Sequence, residues 1–266
     1  MSMHHTSIRW ANVDLDRETE LAAIKETIEL VEKIKRALKS GVELQQSENL
    51  CTIDFDTFES EHMDFILATL GVGEARIVLR KDDVRMAETG ISGVWRVQEK
   101  GVQRFEVSCL PSPLLNALKA SCAPLVTPEA VPEGVFVAPA VLKELEHAQG
   151  NVKLDQISFD PPYMVELTRQ PLSDIDKDYL TAALGVGDVA IELSGFANAN
   201  IQSTQYQGIW RNTILNNAGK ELLDSYVVTR IPPEVPSAPE EMADSIAQCD
   251  EIIEWLNEDM ERDTRE

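Results

Sequence analysis

The sequence predicts an α+β fold of two tandem repeats followed by a C-terminal helix, each repeat running helix-strand-helix-strand-strand-strand with a largely antiparallel sheet. Three observations predict it. LGVGEARIVL at Leu70–Leu79 returns as LGVGDVAIEL at Leu184–Leu193, 114 positions later. GVWR from Gly93 returns as GIWR from Gly208, and FEVSCLP from Phe105 as YVVTRIP from Tyr226, so the offset grows only between segments, where loops absorb changes of length. Finally, apolar residues recur at helical spacing ahead of the first copy and at every second position after the glycines of both.

The elements follow in order. Residues 1–13 read as a disordered start, and the first repeat spans 14–120. Leu21, Ile24, Ile28, Val31, Ile34 and Leu38 mark one face of a helix. CTIDF from Cys51 is short enough for a strand, and HMDFILATL for a short helix that stops at Gly71, where a left-handed residue favours glycine. Ala75, Ile77 and Leu79 alternate with Glu74, Arg76 and Arg80, the pattern of a strand buried on one face. SGVWRVQEKGVQRFEVSCLP reads as a hairpin turning at EKG, and hairpins are antiparallel. Six of the thirteen prolines fall between Pro111 and Val141, which excludes one continuous helix or a central strand; residues 121–138 become a linker, with one short helix in this stretch.

The second repeat, 139–266, restates the scheme: helix in APAVLKELEHAQG, strand in YMVEL, and a helix opened by Ser173 three residues before Asp176 and stopped by Gly185. Val189, Ile191 and Leu193 make the next strand, and a hairpin turns at NNAGK. A terminal helix over 237–262 takes Ser237 as its cap with Glu240 three residues on. Its stripe of Met242, Ile246, Cys249, Ile253, Leu256 and Met260 is expected to dock on its own domain. From Glu240 to Glu266 there are eleven acidic and two basic residues.

Charge narrows the function. With 46 Asp and Glu against 24 Lys and Arg, the formal net charge of −22 excludes a nucleic-acid surface and disfavours anionic membranes. No window approaches the roughly 20 apolar residues of a membrane span, and the start lacks the apolar core of a secretory signal. Cys51, Cys109, Cys122 and Cys249 are scattered, as expected of free thiols in a reducing cytoplasm. The paired glycines are no dinucleotide loop, since the third glycine would be Arg76 and the helix precedes the strand. His4, His5, His62 and His147 lack ligand-spaced companions, so no catalytic, cofactor-binding or metal residue is assigned. Trp95 and Arg96, like Trp210 and Arg211, point to opposite faces of a strand. Either the tryptophans are core and the arginines pair with sheet carboxylates such as Glu106, or these four residues belong to a partner-binding surface, where Trp and Arg are over-represented.

LGVGEARI, GVWRV, LGVGDVAIEL, GIWRNTILNNAGKELLDSYVVTRIPPEV and APEEMADSIAQCDEIIEWL occur in this order between about Asp54 and Leu256. On these segments the chain resembles the HupH/HyaF family of hydrogenase expression/formation proteins. The resemblance implies a non-catalytic, cofactor-free accessory protein for a membrane-bound uptake nickel–iron hydrogenase. It would act on the iron–sulfur small-subunit precursor before export, its acidic surface attracting a basic segment such as a twin-arginine signal. A scaffold bridging other maturation proteins, or a thiol- or metal-dependent handler of cofactor, are the alternative expectations. Homo-oligomerisation through strand edges stays open.

Overall fold

The structure, a computed structural model, describes residues 15–119, 123–195 and 198–263. The expected disordered start, with His4 and His5, lies outside them, as does Cys122.

Helix α1 (Arg17–Leu44) begins where the Asp16 side chain accepts from the backbone N–H groups of Glu18 and Thr19, satisfying donors that no earlier turn can reach. It buries Ile24, Val31, Ile34 and Leu38 of the expected stripe, joined by Ala23, Thr27 and Leu30, while Leu21 and Ile28 are half-buried. Strand β1 (Cys51–Asp54), helix α2 (Met63–Leu70) and strands β2 (Ala75–Leu79), β3 (Val84–Glu88), β4 (Val94–Glu99) and β5 (Val102–Val107) follow. Helix α3 (Ser112–Lys119) leads towards α4 (Ala138–Asn151), β6 (Tyr163–Glu166), α5 (Asp174–Leu184), β7 (Val189–Ser194), β8 (Asn198–Ser203), β9 (Ile209–Leu215), β10 (Glu221–Val228) and α6 (Pro239–Asp263).

The ten strands among the described residues form one antiparallel sheet in the order β1-β5-β4-β3-β2-β7-β8-β9-β10-β6. Each half therefore holds five strands, one more than the four expected. The additions are β3 and β8. In β3 only Val84 and Met86 are buried, and in NANIQS of β8 only Ile201 is, so neither carries a long apolar alternation. The halves meet at β2 and β7, with Ile77 opposite Ile191, Ala75 opposite Leu193 and Leu79 opposite Val189. Arg80 N–H to Asp188 C=O (3.1 Å) and Ser194 N–H to Glu74 C=O (3.0 Å) extend the seam at either end.

The glycines that open both quoted stretches have a geometric cause. Gly71 and Gly185 take φ of 69° and 61° with ψ of −167° and −179°. That is not the left-handed helical region expected but a mirror-extended one open essentially to glycine alone. Two residues on, the Gly73 N–H donates to Glu88 C=O at 2.9 Å, and a Cβ at Gly73 would sit 2.4 Å from the Thr89 oxygen. Gly187 repeats this against Ser203, its Cβ position 2.3 Å from the Thr204 oxygen. The motif stops a helix and lets a hairpin approach.

The larger core joins α1, α2, α3 and α6 to the first half of the sheet and crosses the seam to Ile191, Ile201 and Trp210. A second core gathers α4 and α5 around Val165, Ile209, Tyr226 and Val228. Leu125 and Val135, from the proline-rich stretch expected to be a linker, are buried in it. The α6 stripe meets a different surface from the one expected. Met242 and Cys249 enter the larger core, Lys35 of α1 pairs with Asp250, and Ser245 and Gln248 donate to the carbonyls of Ser92 and Gly90. The helix completes the first half instead of docking on its own. Nor does Ser237 cap it: that hydroxyl donates to Glu88, and Glu241, not Glu240, folds back onto the Ala238 N–H. No helix among the described residues is long and apolar enough to cross a membrane.

Candidate functional site

Alternation along β4 and β9 sends each tryptophan to one face of the sheet and each arginine to the other. Trp95 is fully buried and its indole N–H donates to Ser108 C=O at 2.9 Å; Trp210 is 2% exposed and donates to Thr229 C=O at 3.1 Å. A buried indole needs such a partner. Both rings are core, with no surface to offer a partner protein.

The arginines lie on the opposite face. Arg96 donates through Nε and Nη2 to Gln103 Oε1 (3.2 and 2.6 Å), and its guanidinium stands 5.7 Å from the centroid of the Phe55 ring. It does not pair with Glu106. Buried Glu106 instead accepts from Arg104 Nε at 2.7 Å and from the hydroxyl and backbone N–H of Ser112, which ties α3 to the sheet. Arg211 does find a carboxylate: Nε and Nη2 reach the two oxygens of Asp224 at 3.0 and 2.9 Å, a bidentate fork. Asp224 raises the Arg211 pKa further.

Register shows what these arginines share. One row of side chains runs Arg96, Ala87, Arg76, Glu192, Asn200, Thr213, Asp224 across the sheet, and the next runs Gln98, Arg85, Val78, Ala190, Gln202, Arg211. Arg76, Arg85, Glu192 and Asn200 are exposed, so the middle of this face is open and polar between α1–α2 at one end and α4–α5 at the other. Arg96 and Arg211 stand five strand spacings apart, roughly 24 Å, so the structure puts them on one face without joining them in one site.

The tryptophan-bearing face carries two clefts that sequence reading does not name, because their walls come from both halves. One, about 930 Å³, includes Leu79, Val84, Val186 and Arg230; the other, about 560 Å³, includes Glu88, Asn212 and Glu234. Among the described cysteines, Cys109 and Cys249 are buried and Cys51 is half-exposed. Burial pushes the Cys109 thiol up and the Cys249 thiol to about 12.

Comparison with known proteins decides the family. The hydrogenase expression/formation protein HupQ of Azotobacter chroococcum mcd 1 is 30% identical over 235 residues, 85% of this chain and 81% of its own. This chain belongs to the HupH/HyaF family of hydrogenase expression/formation proteins. HoxQ of Azotobacter vinelandii is 29% identical across 96% of this chain and 90% of its own length, and the hydrogenase-1 operon protein HyaF of Escherichia coli K12 is 25% identical across 91% and 87%. The model of the HupH hydrogenase expression protein C-terminal conserved region matches residues 135–256. That region runs from just before α4 through most of α6, and so includes Trp210 and Arg211 but not Trp95 and Arg96. A solved structure, the hydrogenase expression protein HupH from Thiobacillus denitrificans, aligns with 42% of this chain and 89% of its own at 23% identity, with a TM-score of 0.37.

Proposed function

We propose that this member of the HupH/HyaF family is a non-catalytic accessory protein for a membrane-bound uptake nickel–iron hydrogenase, holding the iron–sulfur small-subunit precursor in the cytoplasm before export. Family membership over most of the chain carries the reading. The open polar sheet face, with Arg96 and Arg211 at its two ends, and the −22 net charge supply surfaces suited to recognition. The buried, raised thiols of Cys109 and Cys249 weigh against thiol-dependent cofactor handling, since the thiolate is the reactive and ligating form.

The same reading takes the halves as copies of a duplicated unit, with boundaries near residues 120 and 139. Its support is a set of matching contacts: Trp95 to Ser108 with Trp210 to Thr229, Gly73 to Glu88 with Gly187 to Ser203, and Arg96 to Gln103 with Arg211 to Asp224. The functional test is binding between the purified chain and the small-subunit precursor across a salt series. A complex that weakens as salt rises is expected. Affinity independent of salt removes the electrostatic part, and a chain that captures sibling accessory proteins but never the precursor is a scaffold instead.

A further inference from the structure

Arg96 and Arg211 hold matching places on β4 and β9, yet the sheet gives them different partners. Phe105 lies opposite Arg96, and Tyr226 opposite Arg211. Two residues before each aromatic stands the side chain that the guanidinium meets: Gln103 in the first half, Asp224 in the second. Arg211 thus has a carboxylate across its Nε and Nη2, while the same two atoms of Arg96 share one neutral amide oxygen. Arg96 Nη1 donates to nothing among the described residues. The side chain is half-buried and its guanidinium is held against the Phe55 ring, so the charge is fixed in place without an anion. Charges taken out of water are ordinarily paired.

A second observation concerns what surrounds it. Ala87 of β3 lies directly opposite both Arg96 and Arg76, and Arg85 is two residues along the same strand. Three arginines therefore border one small side chain, with Arg76 and Arg96 roughly 10 Å apart and Arg85 roughly 7 Å from Ala87. Arg76 and Arg85 are exposed. No carboxylate of β2, β3, β4 or β5 shares this face, because Glu88, Glu99 and Glu106 lie on the tryptophan-bearing one. Asp83 makes only an exposed pair with Arg85 at 3.3 Å, and Glu192, opposite Arg76, forms no ion pair with it. At about 0.15 M salt the field of more distant acids fades within about 8 Å, so these arginines dominate their own patch despite the net charge of −22.

We propose that Arg96, Arg76 and Arg85 receive an acidic segment of the partner protein, an aspartate or glutamate side chain supplying to Arg96, through its unused Nη1, the charge that Asp224 supplies to Arg211. The second half shows which anion this place in the sheet accepts: a planar carboxylate that the guanidinium fork matches. The proposal rests on the accessory-protein reading above and deepens it by naming the chemistry of the segment held.

The test titrates fluorescein-labelled hexaglutamate and hexaglutamine onto the full chain at about 0.15 M salt, read by fluorescence anisotropy. Hexaglutamate is expected to bind, and hexaglutamine at least about tenfold more weakly. R76Q with R85Q, and R96M alone, are each expected to weaken hexaglutamate about tenfold. Control variants R169Q with K220Q remove two exposed cations at the far end of the sheet and are expected to leave binding unchanged. The deciding variant is Q103E, which gives Arg96 a carboxylate within the chain. It is expected to raise Tm by about 2 °C while weakening hexaglutamate about tenfold, whereas a purely structural Arg96 gives the rise without the loss. No binding, equal loss in the control, or Q103E binding like the unmodified chain overturns the proposal. Sedimentation of the chain alone covers the other occupant: a dimer that R76Q/R85Q dissolves makes a second copy the ligand and overturns the assignment to a partner. The precursor is then titrated onto the same variants. A precursor that binds the unmodified chain, R76Q/R85Q and Q103E alike overturns the arginine seat and leaves the accessory reading standing. A precursor that binds none of them overturns that reading, while the peptide series still decides whether the seat takes a carboxylate.

Discussion

Asp176 is the residue on which the second half should depend most. It is buried, and one oxygen, Oδ1, accepts from three backbone N–H groups at the start of α4: Phe136 (2.9 Å), Val137 (2.9 Å) and Ala138 (3.0 Å). The other, Oδ2, accepts from the hydroxyl and N–H of Ser173, closing the capping box of α5. One carboxylate therefore caps two helices. Asp176→Ala strands three backbone donors at about 1 kcal/mol each and removes the α5 cap for about another 1 kcal/mol, so the loss at pH 7 should be about 4 kcal/mol. For a chain of this size that lowers Tm by about 10 °C. The pH dependence has a definite sign. The Ser173 hydroxyl first, then the three N–H groups, hold the folded pKa below its ordinary 3.8. The stabilisation is complete above that value and drains away as pH falls towards the folded one. Urea denaturation of both proteins from pH 8 to pH 3 measures the gap, which should stay constant down to about pH 4 and shrink below it. A loss under about 1 kcal/mol at pH 7, or a gap that closes between pH 7 and pH 5, refutes the double-cap argument.

Other substitutions probe the remaining contacts. Trp95→Phe or Trp210→Phe leaves a buried carbonyl unpaired and should cost about 1–3 kcal/mol in urea denaturation, with precursor affinity unchanged because neither ring is exposed. Gly73→Ala and Gly187→Ala force a Cβ against backbone oxygen and should cost about 2–3 kcal/mol by thermal melting. Gly101→Ala, where φ is 84° but the surroundings are open, should cost only about 1 kcal/mol. Arg211→Met strips the partner from buried Asp224 and should cost about 2 kcal/mol, whereas Arg96→Met leaves neutral Gln103 and should cost under about 1 kcal/mol. At pH 8, mass spectrometry after brief alkylation should find Cys51 modified well before Cys109 or Cys249. Equal labelling of Cys249 would mean that α6 readily leaves α1.

Features set by neighbours in the chain were legible. The helix stops at Gly71 and Gly185, the Ser173–Asp176 box and the alternation of Ala75, Ile77 and Leu79 all stand where local rules put them. The Arg96 partner was legible in principle. Lys100 and Gly101, both at positive φ, make a two-residue turn that pairs Glu99 with Val102, and counting back puts Glu106 opposite Trp95, on the face away from Arg96. Distant effects were not legible. Nothing near Asp176 says that its second oxygen serves residues about 40 positions earlier. An amphipathic stripe on α6 requires a cover without naming α1. The smaller cleft was hidden for the same reason, since β3 and β9 come to share its walls only once β2 has paired with β7.

The seating of α6 on α1 has a consequence for biosynthesis. The helix translated first must wait for one translated some two hundred residues later before Met242 and Cys249 can plug its hydrophobic flank. Until α6 emerges, Leu30, Ile34 and Leu38 remain partly wetted, and until β7 emerges β2 lacks its neighbour across the seam. Closure of this core therefore waits for α6, and a nascent chain stalled ahead of Pro239 should be the form that chaperones and proteases engage.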